Sequence, residues 1–265
     1  MEFLTIETLA WAVLSLAGVY FFGVPLLILT SQRMPANPEI VEFDDSTALP
    51  EIVSDYFYEC EHDLDESGFQ RVASLALPDP VPNVRAILQI YINESQSTAC
   101  MVTAMFGIAE VGPPLQTRYV EFVTRFGGGD LQMVQTNNST EINAFADVPE
   151  SPAFRLPHVT DVSRLADYHE QLVDRTAPGT PRSLAVLDEF GGDVVEYLRV
   201  KAFKEAYERQ VETGYLRYDS GQDCYRPTLG GAYKMTWKNL WPIKPLILAR
   251  TRSSGKRLES ELSRS

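Results

Sequence analysis

The sequence is poor in the residues that most often carry catalysis or bind metals. It has 3 cysteines and 3 histidines in 265 residues, and an odd, scattered set of cysteines argues against a disulfide framework. C-x-x-C pairs, G-x-S-x-G and phosphate-binding glycine loops are all missing. His169-Glu170 does not belong to an H-E-x-x-H motif, since Val173 stands where the second histidine is needed. The sequence therefore predicts no bound cofactor and no metal, and it favours a protein that is not an enzyme.

Positive charge is also scarce. The formal net charge is −13 at pH 7, and binding to nucleic acid depends on a basic surface that meets the phosphates. Nucleic acid is therefore not an expected partner. The basic residues concentrate in one place, because the segment from Arg226 to Arg257 holds eight lysines and arginines and no acid.

One long apolar run, from Leu9 to Leu29, carries no charge at all. About 21 residues of α-helix reach about 30 Å, the thickness of the hydrocarbon core of a bilayer. An acidic leader and the lack of an A-x-A site argue against a cleaved signal peptide, although that alternative and a buried core helix stay open. We expect a short N-terminal tail over 1–8 and a single transmembrane helix over 9–29, with the lipid bilayer as its partner.

The residues that flank this run predict its orientation. Arg33 follows the run and no lysine or arginine precedes it, and positive flanks stay on the cytoplasmic side. Unpaired cysteines agree with a reducing compartment. Against this stand three N-glycosylation triplets, at Asn93, Asn137 and Asn138, which matter only in a eukaryotic lumen. We expect a single-pass membrane protein whose soluble domain is cytoplasmic.

The rest of the chain divides by composition. Residues 30–49 are polar, with prolines and acids, and predict a juxtamembrane linker. Residues 50–241 are expected to form one α+β globular domain, followed by a basic, partly flexible C-terminal tail over 242–265. The domain opens with a helix that begins at Pro50 and ends at Gly68. The residues expected on the buried face of this helix are Ile52, Tyr56, Cys60 and Leu64.

Alternating apolar residues predict strands in the middle of the domain. Residues 84–92 alternate as in a half-buried strand, whereas 99–109 are apolar on both faces, as in a central strand. Residues 120–126 alternate again, 131–136 return after a glycine turn, and 142–146 follow a turn of Asn-Asn-Ser. Short turns between successive strands predict an antiparallel meander and no parallel sheet.

The last third is predicted to be mostly helical. Thr160 or Asp161 opens one helix, whose expected buried face carries Val162, Leu165, His169 and Leu172. Asp193 and Glu196 have the spacing of a capping box, which predicts a helix from there to Gly214. The residues expected to be buried in it are Val194, Leu198, Ala202 and Ala206. A hairpin about Ser220-Gly221 follows, and then a short helix that carries Tyr233, Trp237 and Trp241 on one face.

Three residues are the candidates for acid–base catalysis: His158, His169 and Glu121. Histidine titrates near neutral pH and often acts as a general acid or base. His169, however, falls on the apolar face of its helix, where a packed histidine is the more ordinary interpretation. His158 follows Pro157 in a predicted loop, and Glu121 lies on the polar side of a strand.

The basic C-terminal segment contains a cluster suited to contact with a membrane. Two of the 3 tryptophans lie there beside lysines, and tryptophan favours the bilayer interface while lysine favours anionic headgroups. The predicted contact residues are Tyr233, Lys234, Trp237, Lys238, Trp241 and Lys244. The competing interpretation packs the aromatic stripe on the domain core and pairs the lysines with its acidic surface.

These patterns favour a membrane-anchored, non-enzymatic module that binds a partner protein or assembles at the bilayer. Two alternatives stay open. One is a membrane-anchored hydrolase whose site is scattered in sequence, which a pocket joining a histidine to a carboxylate favours. The other is a lipid or small-molecule binder that uses the concave face of the sheet, which a large apolar cavity favours.

Overall fold

The computed structural model describes residues 6–44, 46–81, 84–107, 115 and 117–264. Contacts between Cα atoms group the chain into two units. The sheet unit comprises Pro38–Glu141, Asp147–Ala202 and Leu246–Ser265. The hairpin unit comprises Met1–Asn37, Ile142–Ala146 and Phe203–Pro245.

Helices and strands alternate irregularly along the chain. The strands are β1 (Met34–Pro35), β2 (Val41–Glu42), β3 (Gln70–Val81), β4 (Val84–Asn93), β5 (Thr98–Gly107), β6 (Thr117–Phe126), β7 (Met133–Asn137), β8 (Ala153–Arg155), β9 (Arg182–Ser183), β10 (Leu216–Asp219) and β11 (Cys224–Pro227). The helices are α1 (Ile6–Gly18), α2 (Val24–Ser31), α3 (Glu51–Glu66), α4 (Val162–Thr176), α5 (Ala185–Asp188), α6 (Val194–Tyr197), α7 (Glu205–Glu212), α8 (Leu229–Asn239) and α9 (Ile243–Leu262). A first π-helical segment, Val19–Gly23, joins α1 to α2, and a second, Leu198–Lys204, joins α6 to α7. The α+β class with flanking helices is confirmed.

A mixed, mostly antiparallel sheet forms the body of the sheet unit. Its strands follow the order β2-β3-β4-β5-β6-β7-β8, and β9 pairs with β6. The pairs from β2 to β7 are antiparallel, as the predicted meander requires. β8 runs parallel to β7, contrary to the expectation of a purely antiparallel sheet. The long irregular connection between these two strands lets the chain return in the same direction, which a tight hairpin does not.

One face of this sheet and the helices α3 and α4 enclose the main core of the sheet unit. Side chains alternate along each strand, so Cys100 and Val102 of β5 face the core together with Phe122 of β6. The C-terminal end of α9 joins the same core through Leu258 and Leu262. Other core residues with almost no exposed surface are Val53, Leu64, Phe69, Ile87, Val120, Leu156 and Leu165.

Strand β4 is buried on both faces, not on one as its alternation predicts. Ile87 and Tyr91 belong to the main core, while Leu88 and Ile90 are buried on the opposite side. The second π-helical segment lies on that second side, where Arg125 of β6 donates a hydrogen bond to the carbonyl of Lys201 at 3.0 Å. Packing against the second face of the sheet depends on a distant part of the chain, so the alternation of residues within β4 does not predict it.

Helix α3 has its predicted ends but a shifted buried face. Pro50 precedes its first turn, and Gly68 follows it with φ of +79°. Ile52 is 47% exposed, whereas Val53 and Phe57 are buried with the predicted Tyr56, Cys60 and Leu64. Helix α4 follows its prediction, and Asp161 caps it by accepting a hydrogen bond from the backbone N–H of Arg164 at 2.9 Å.

The helix predicted to begin at Asp193 is present, but its buried face changes partway. Asp193 caps it, and Gly214 follows its last turn with φ of +73°. Val194 and Leu198 are buried, but Ala202 is exposed. The second π-helical segment explains the difference, because bonding from i to i+5 rotates later residues away from a 3.6-residue period.

The hairpin unit is built on β10 and β11, which form the predicted hairpin, with β1 added in the order β1-β11-β10. Its core joins Tyr215, Leu216, Tyr225 and Met235. The segment 142–146, predicted as a strand, is irregular in the structure. It is held by side-chain hydrogen bonds, since the Gln210 amide bonds both the N–H and the carbonyl of Ala146, at 3.0 and 3.2 Å.

The apolar run is helical from α1 through the first π-helical segment to α2. Gly18, Gly23 and Val24, at the junctions, keep right-handed helical dihedral angles. Within the described ranges, no single helix combines the length and the apolar character needed to cross a membrane. At the other end of the chain, most of the predicted tail lies in α9.

Candidate functional site

The helical run of the hairpin unit exposes large apolar side chains along its length. Trp11 is 70% exposed and Leu14 is 61% exposed. The same holds for Val19, Phe22, Leu26 and Leu27. Single exposed apolar residues are ordinary on a soluble protein, but several of them on one short segment are typical of an interaction surface. We therefore treat this run as the core of the candidate site.

Halfway along the run, Tyr20 and Phe21 contact two residues at and just beyond the end of α8, Trp237 through its ring and Trp241 through its backbone carbonyl. We call these four aromatic residues the aromatic collar. The Tyr20 hydroxyl donates a hydrogen bond to the carbonyl of Trp241 at 2.9 Å. The rings of Phe21 and Trp237 lie 5.3 Å apart, centroid to centroid. Trp237 remains 42% exposed and Trp241 76% exposed. The collar is thus a contact between helices that still presents aromatic surface to the outside.

The other end of α8 lies beside the end of α2. Arg226, just before α8, donates a hydrogen bond to the carbonyl of Thr30 at 3.4 Å. Thr228 caps α8 by accepting a hydrogen bond from the N–H of Gly231 at 2.9 Å. A Cβ at Gly231 would lie 1.9 Å from the carbonyl oxygen of Tyr215, so only glycine fits there. With the collar at its other end, α8 therefore runs antiparallel to α2.

The remaining predicted membrane-contact residues have mixed surroundings. Lys234 is exposed, while Tyr233 and Lys244 are half-buried. Lys238 donates hydrogen bonds to two backbone carbonyls of the 142–146 segment. The helix ends at Asn239, so Trp241 follows α8 rather than extending its aromatic face by another turn.

His169 lies inside the sheet unit with both ring nitrogens occupied. Its Nε2 is 2.9 Å from the Thr124 hydroxyl, and its Nδ1 is 2.9 Å from the Thr136 hydroxyl. Burial, with a smaller contribution from Arg182, lowers the pKa of His169 to about 3. The ring is therefore neutral at physiological pH, donating one hydrogen bond and accepting the other. This arrangement is typical of a structural histidine.

Glu121 lies on the opposite side of the sheet from His169. It accepts a hydrogen bond from the Asn137 amide at 3.0 Å. Burial raises its pKa, while Asn137 and the positive charge of Arg155 oppose that rise. Because Glu121 and Thr124 are three residues apart on β6, their side chains leave the sheet on opposite faces. The two candidates are therefore separated by the sheet itself.

His158 pairs with Glu259 of α9. Its Nε2 lies 2.5 Å from one carboxylate oxygen, and Arg164 lies 3.3 Å from the other. We call His158, Arg164 and Glu259 the α9 clasp. Gly255, one turn earlier on α9, allows the approach, since a Cβ there would lie 2.9 Å from the carbonyl oxygen of Arg155. The histidine and carboxylate thus meet, as a catalytic pair requires, but their contact fastens a helix to the sheet unit.

A groove of about 610 Å³ opens at the edge of the sheet unit beside β3. Glu42, Phe43, residues 71–75 and residues 192–195 line it. Strand β2 pairs with β3 only at Ala76 and Leu75. The groove therefore lies where the edge of β3 continues beyond its short outer neighbour.

The asparagines of the glycosylation triplets use both ends of their amide groups within the fold. Asn93 donates to the carbonyl of Ser67 and accepts from the N–H of Gln96. Asn138 donates to the carbonyl of Val159 and accepts from the N–H of Val120. The third, Asn137, is bonded to Glu121 and Ser139. Attachment of a glycan to any of them requires these bonds to break.

The cysteines are free and buried at all three positions. Burial raises the pKa of Cys60 to about 12 and also raises that of Cys100, which keeps both thiols protonated and unreactive. Among the residues that the structure describes, no group of three or more histidine, cysteine, aspartate and glutamate side chains is placed to hold a metal ion.

Comparisons with known proteins add no relative: no family model matches the chain, and neither the curated proteins nor the solved structures contain a significant match.

Several site residues escaped sequence reasoning because their partners are distant in the chain. In the sequence, Tyr20 and Phe21 are not distinguishable from the other residues of the apolar run, and Glu259 is one of several charged residues near the C-terminus. The useful signals are the glycines, since Gly231 and Gly255 both mark close approaches to backbone carbonyls.

Proposed function

We propose that the chain is a membrane-anchored, non-enzymatic module that binds a partner protein or assembles at the bilayer surface. The observation that carries this proposal is the exposure of large apolar side chains along α1 and the first π-helical segment. Removal of apolar surface from water is worth about 25 cal/mol per Å². A row of such side chains therefore supplies several kcal/mol of affinity for hydrocarbon.

We further propose single-pass anchoring with the sheet unit on the cytoplasmic side. Arg33 at the end of the run supports this orientation. The buried free thiols suit a reducing compartment. The hydrogen-bonded asparagines support it as well, because their side chains are engaged in the fold.

The groove beside β3 supports a binding role for the sheet unit. Its volume lies within the range of about 300–1,000 Å³ that is typical of ligand sites. The groove also favours a second candidate function, a binder of small polar molecules, because Glu42, Arg71 and Asp193 contribute to its lining. The hydrolase alternative gains less support, since Glu121, His158 and His169 belong to three separate hydrogen-bonded groups.

Vesicle flotation and alkaline carbonate extraction of the full chain test the anchoring. Leu14→Glu places a charge on the exposed face of α1 and is expected to weaken vesicle binding at least about 50-fold, since an acidic residue at a helix centre costs about 2.5–3.5 kcal/mol. Tyr58→Glu is the matched control, because Tyr58 is 74% exposed on α3 of the sheet unit. Equal binding by the two variants, or release of the unmodified chain by carbonate, would contradict the proposal.

A further inference from the structure

We infer that the aromatic collar marks the level at which the hairpin unit meets one bilayer interface, so that α8 and the second half of the apolar run lie outside the hydrocarbon. The inference rests on the proposed membrane anchoring. The surface commits to one occupant, a phospholipid bilayer with anionic headgroups.

The packing of α8 determines this placement. Since Tyr20 and Phe21 contact Trp241 and Trp237, the four aromatic residues share one level along the run. A span centred on Leu9–Leu29 puts that level near the bilayer midplane. It would also carry α8, with Lys234 and Lys238, into the hydrocarbon, which strongly disfavours lysine. Tyrosine and tryptophan instead favour the interface, where their rings are apolar and their polar atoms meet water.

Helix α1 then extends from the collar into the hydrocarbon. Trp11 lies nine residues before Tyr20, or about 13 Å at 1.5 Å per residue, which is close to the midplane of a core about 30 Å thick. Its 70% exposure, and that of Leu14 and Val19 above 60%, is then exposure to lipid. The uncharged part of α1 ends at Glu7, about 20 Å from the collar. This placement therefore puts one charged residue of α1 inside a core about 30 Å thick, whereas the Leu9–Leu29 span puts two lysines there.

Two lysines adjoin the collar. Lys234 is exposed one turn before Trp237, and Lys244 follows Trp241 by three residues. Cations at this level attract anionic headgroups, and the attraction weakens as salt screens it. The lysines and the aromatic residues of the collar thus both indicate a bilayer interface at this level of the run.

The 3 tryptophans of the chain make the depth measurable. Three variants of the full chain each keep one tryptophan and replace the other two by phenylalanine, which preserves the ring at the Phe21 contact. Each is bound to vesicles whose acyl chains carry a quencher either near the headgroups or near the chain ends. We expect the deep quencher to act on Trp11 about twofold or more better than the shallow one, and the reverse for Trp237 and Trp241, because about 13 Å of helix separates the two levels.

The possible results distinguish a wrong placement of the collar from a wrong proposal of membrane anchoring. If the quencher near the headgroups acts more strongly on Trp11, and the quencher near the chain ends acts more strongly on Trp241, the span is Leu9–Leu29. That result would contradict the placement of the collar at the interface. Deep quenching of Trp11 alone, with no quenching of Trp237 or Trp241, would place α8 in water and also overturn it. No quenching of any tryptophan and no flotation would instead defeat the membrane anchoring itself.

A second measurement addresses the charge. Lys234→Gln and Lys244→Gln are each expected to reduce binding to vesicles with anionic lipid about fivefold, with no change for neutral vesicles. Lys256→Gln, at an exposed position of the sheet unit, is the matched control. An equal loss in that control, or a loss on neutral vesicles, would contradict the headgroup contact.

Discussion

The sheet unit and the hairpin unit treat their apolar residues in opposite ways. The sheet unit buries most of its large apolar side chains, and Val102, Val120 and Leu165 have no exposed surface. The hairpin unit has a small core around Tyr215 and Tyr225 and leaves most of the apolar run uncovered. The first unit buries most of its apolar surface in its own core, whereas the second leaves the apolar run exposed. Our proposal of a membrane contact rests on this difference.

Both units join distant parts of the chain by close approaches at a glycine, Gly231 and Gly255, and by hydrogen bonds. In the hairpin unit, Gly231 lets α8 lie against the backbone carbonyl of Tyr215, and there is no room for even one added carbon atom. In the sheet unit, the buried His169 and the partly exposed pair of His158 and Glu259 are held by hydrogen bonds. A junction at a glycine is disrupted by a larger side chain, whereas a hydrogen-bonded junction is disrupted by a change of charge or protonation.

The largest expected effect is that of Gly231→Ala in the hairpin unit. The new Cβ would meet the Tyr215 carbonyl oxygen at 1.9 Å, so α8 must move, and we expect a loss of at least about 3 kcal/mol in the free energy of unfolding. Gly230→Ala is the control, because its Cβ would meet nothing closer than 4.0 Å. Chemical denaturation measures both, and similar values for the two would show that α8 does not pack as described.

The next effect is the response of the sheet unit to acid. His169 has a pKa of about 3 in the fold against 6.5 as its ordinary value. Between these values the unfolded chain binds the proton and the folded one does not, so stability falls as the pH falls. The expected loss between pH 6.5 and 5 is about 2 kcal/mol from this group.

Denaturation at several pH values measures this loss. His169→Gln should remove the contribution of His169 to the change in the free energy of unfolding with pH. His62→Gln, at an exposed position of α3, should leave that contribution unchanged. A slope that His169→Gln does not change would contradict the buried neutral histidine.

A smaller effect is expected for the α9 clasp. Glu259→Gln keeps the size of the side chain but removes the charge that His158 and Arg164 share, and we expect it to cost about 1–2 kcal/mol. Glu261→Gln is the control on the same helix, since its ion pairs with Arg175 and Arg257 are long, at 3.9 and 4.0 Å, and exposed. Thermal unfolding distinguishes the two, and an equal small shift would mean that the clasp contributes nothing to stability.

The smallest effect is expected at the exposed face of α1. Leu14→Ala should change the free energy of unfolding in aqueous buffer by less than about 0.5 kcal/mol, because the fold does not enclose this side chain. A loss of about 2 kcal/mol or more, as for a buried leucine, would show that the run is covered and would remove the contrast between the two units.

Much of the architecture was predictable because its signals are local. Alternation in residues 120–126, the cap at Asp161 and the positive φ of Gly68 and Gly214 all arise from neighbouring residues. The prediction was wrong where the cause was elsewhere in the chain. Ala202 is exposed because a π-helical segment shifts the period, and residues 142–146 are irregular because Gln210 bonds the backbone of Ala146.

The candidate site shows the same division. The apolar run and the aromatic residues near the C-terminus were evident as patterns. Their meeting in the collar was not, because Tyr20 and Trp241 are 221 residues apart and no periodicity connects them. The histidines were visible as residue types, but their hydrogen-bond partners were not.

Four features of this protein are evident from its residues alone: an uncharged apolar run, an acidic body, a basic aromatic segment and a meander of strands. These properties follow from residue type and short-range spacing, which act within a few turns or one strand. The tertiary structure alone decided which apolar residues are covered, which histidine is neutral and which half of the run lies beside α8. Those outcomes depend on burial and on contacts between residues far apart in the chain, and only packing in three dimensions brings these together.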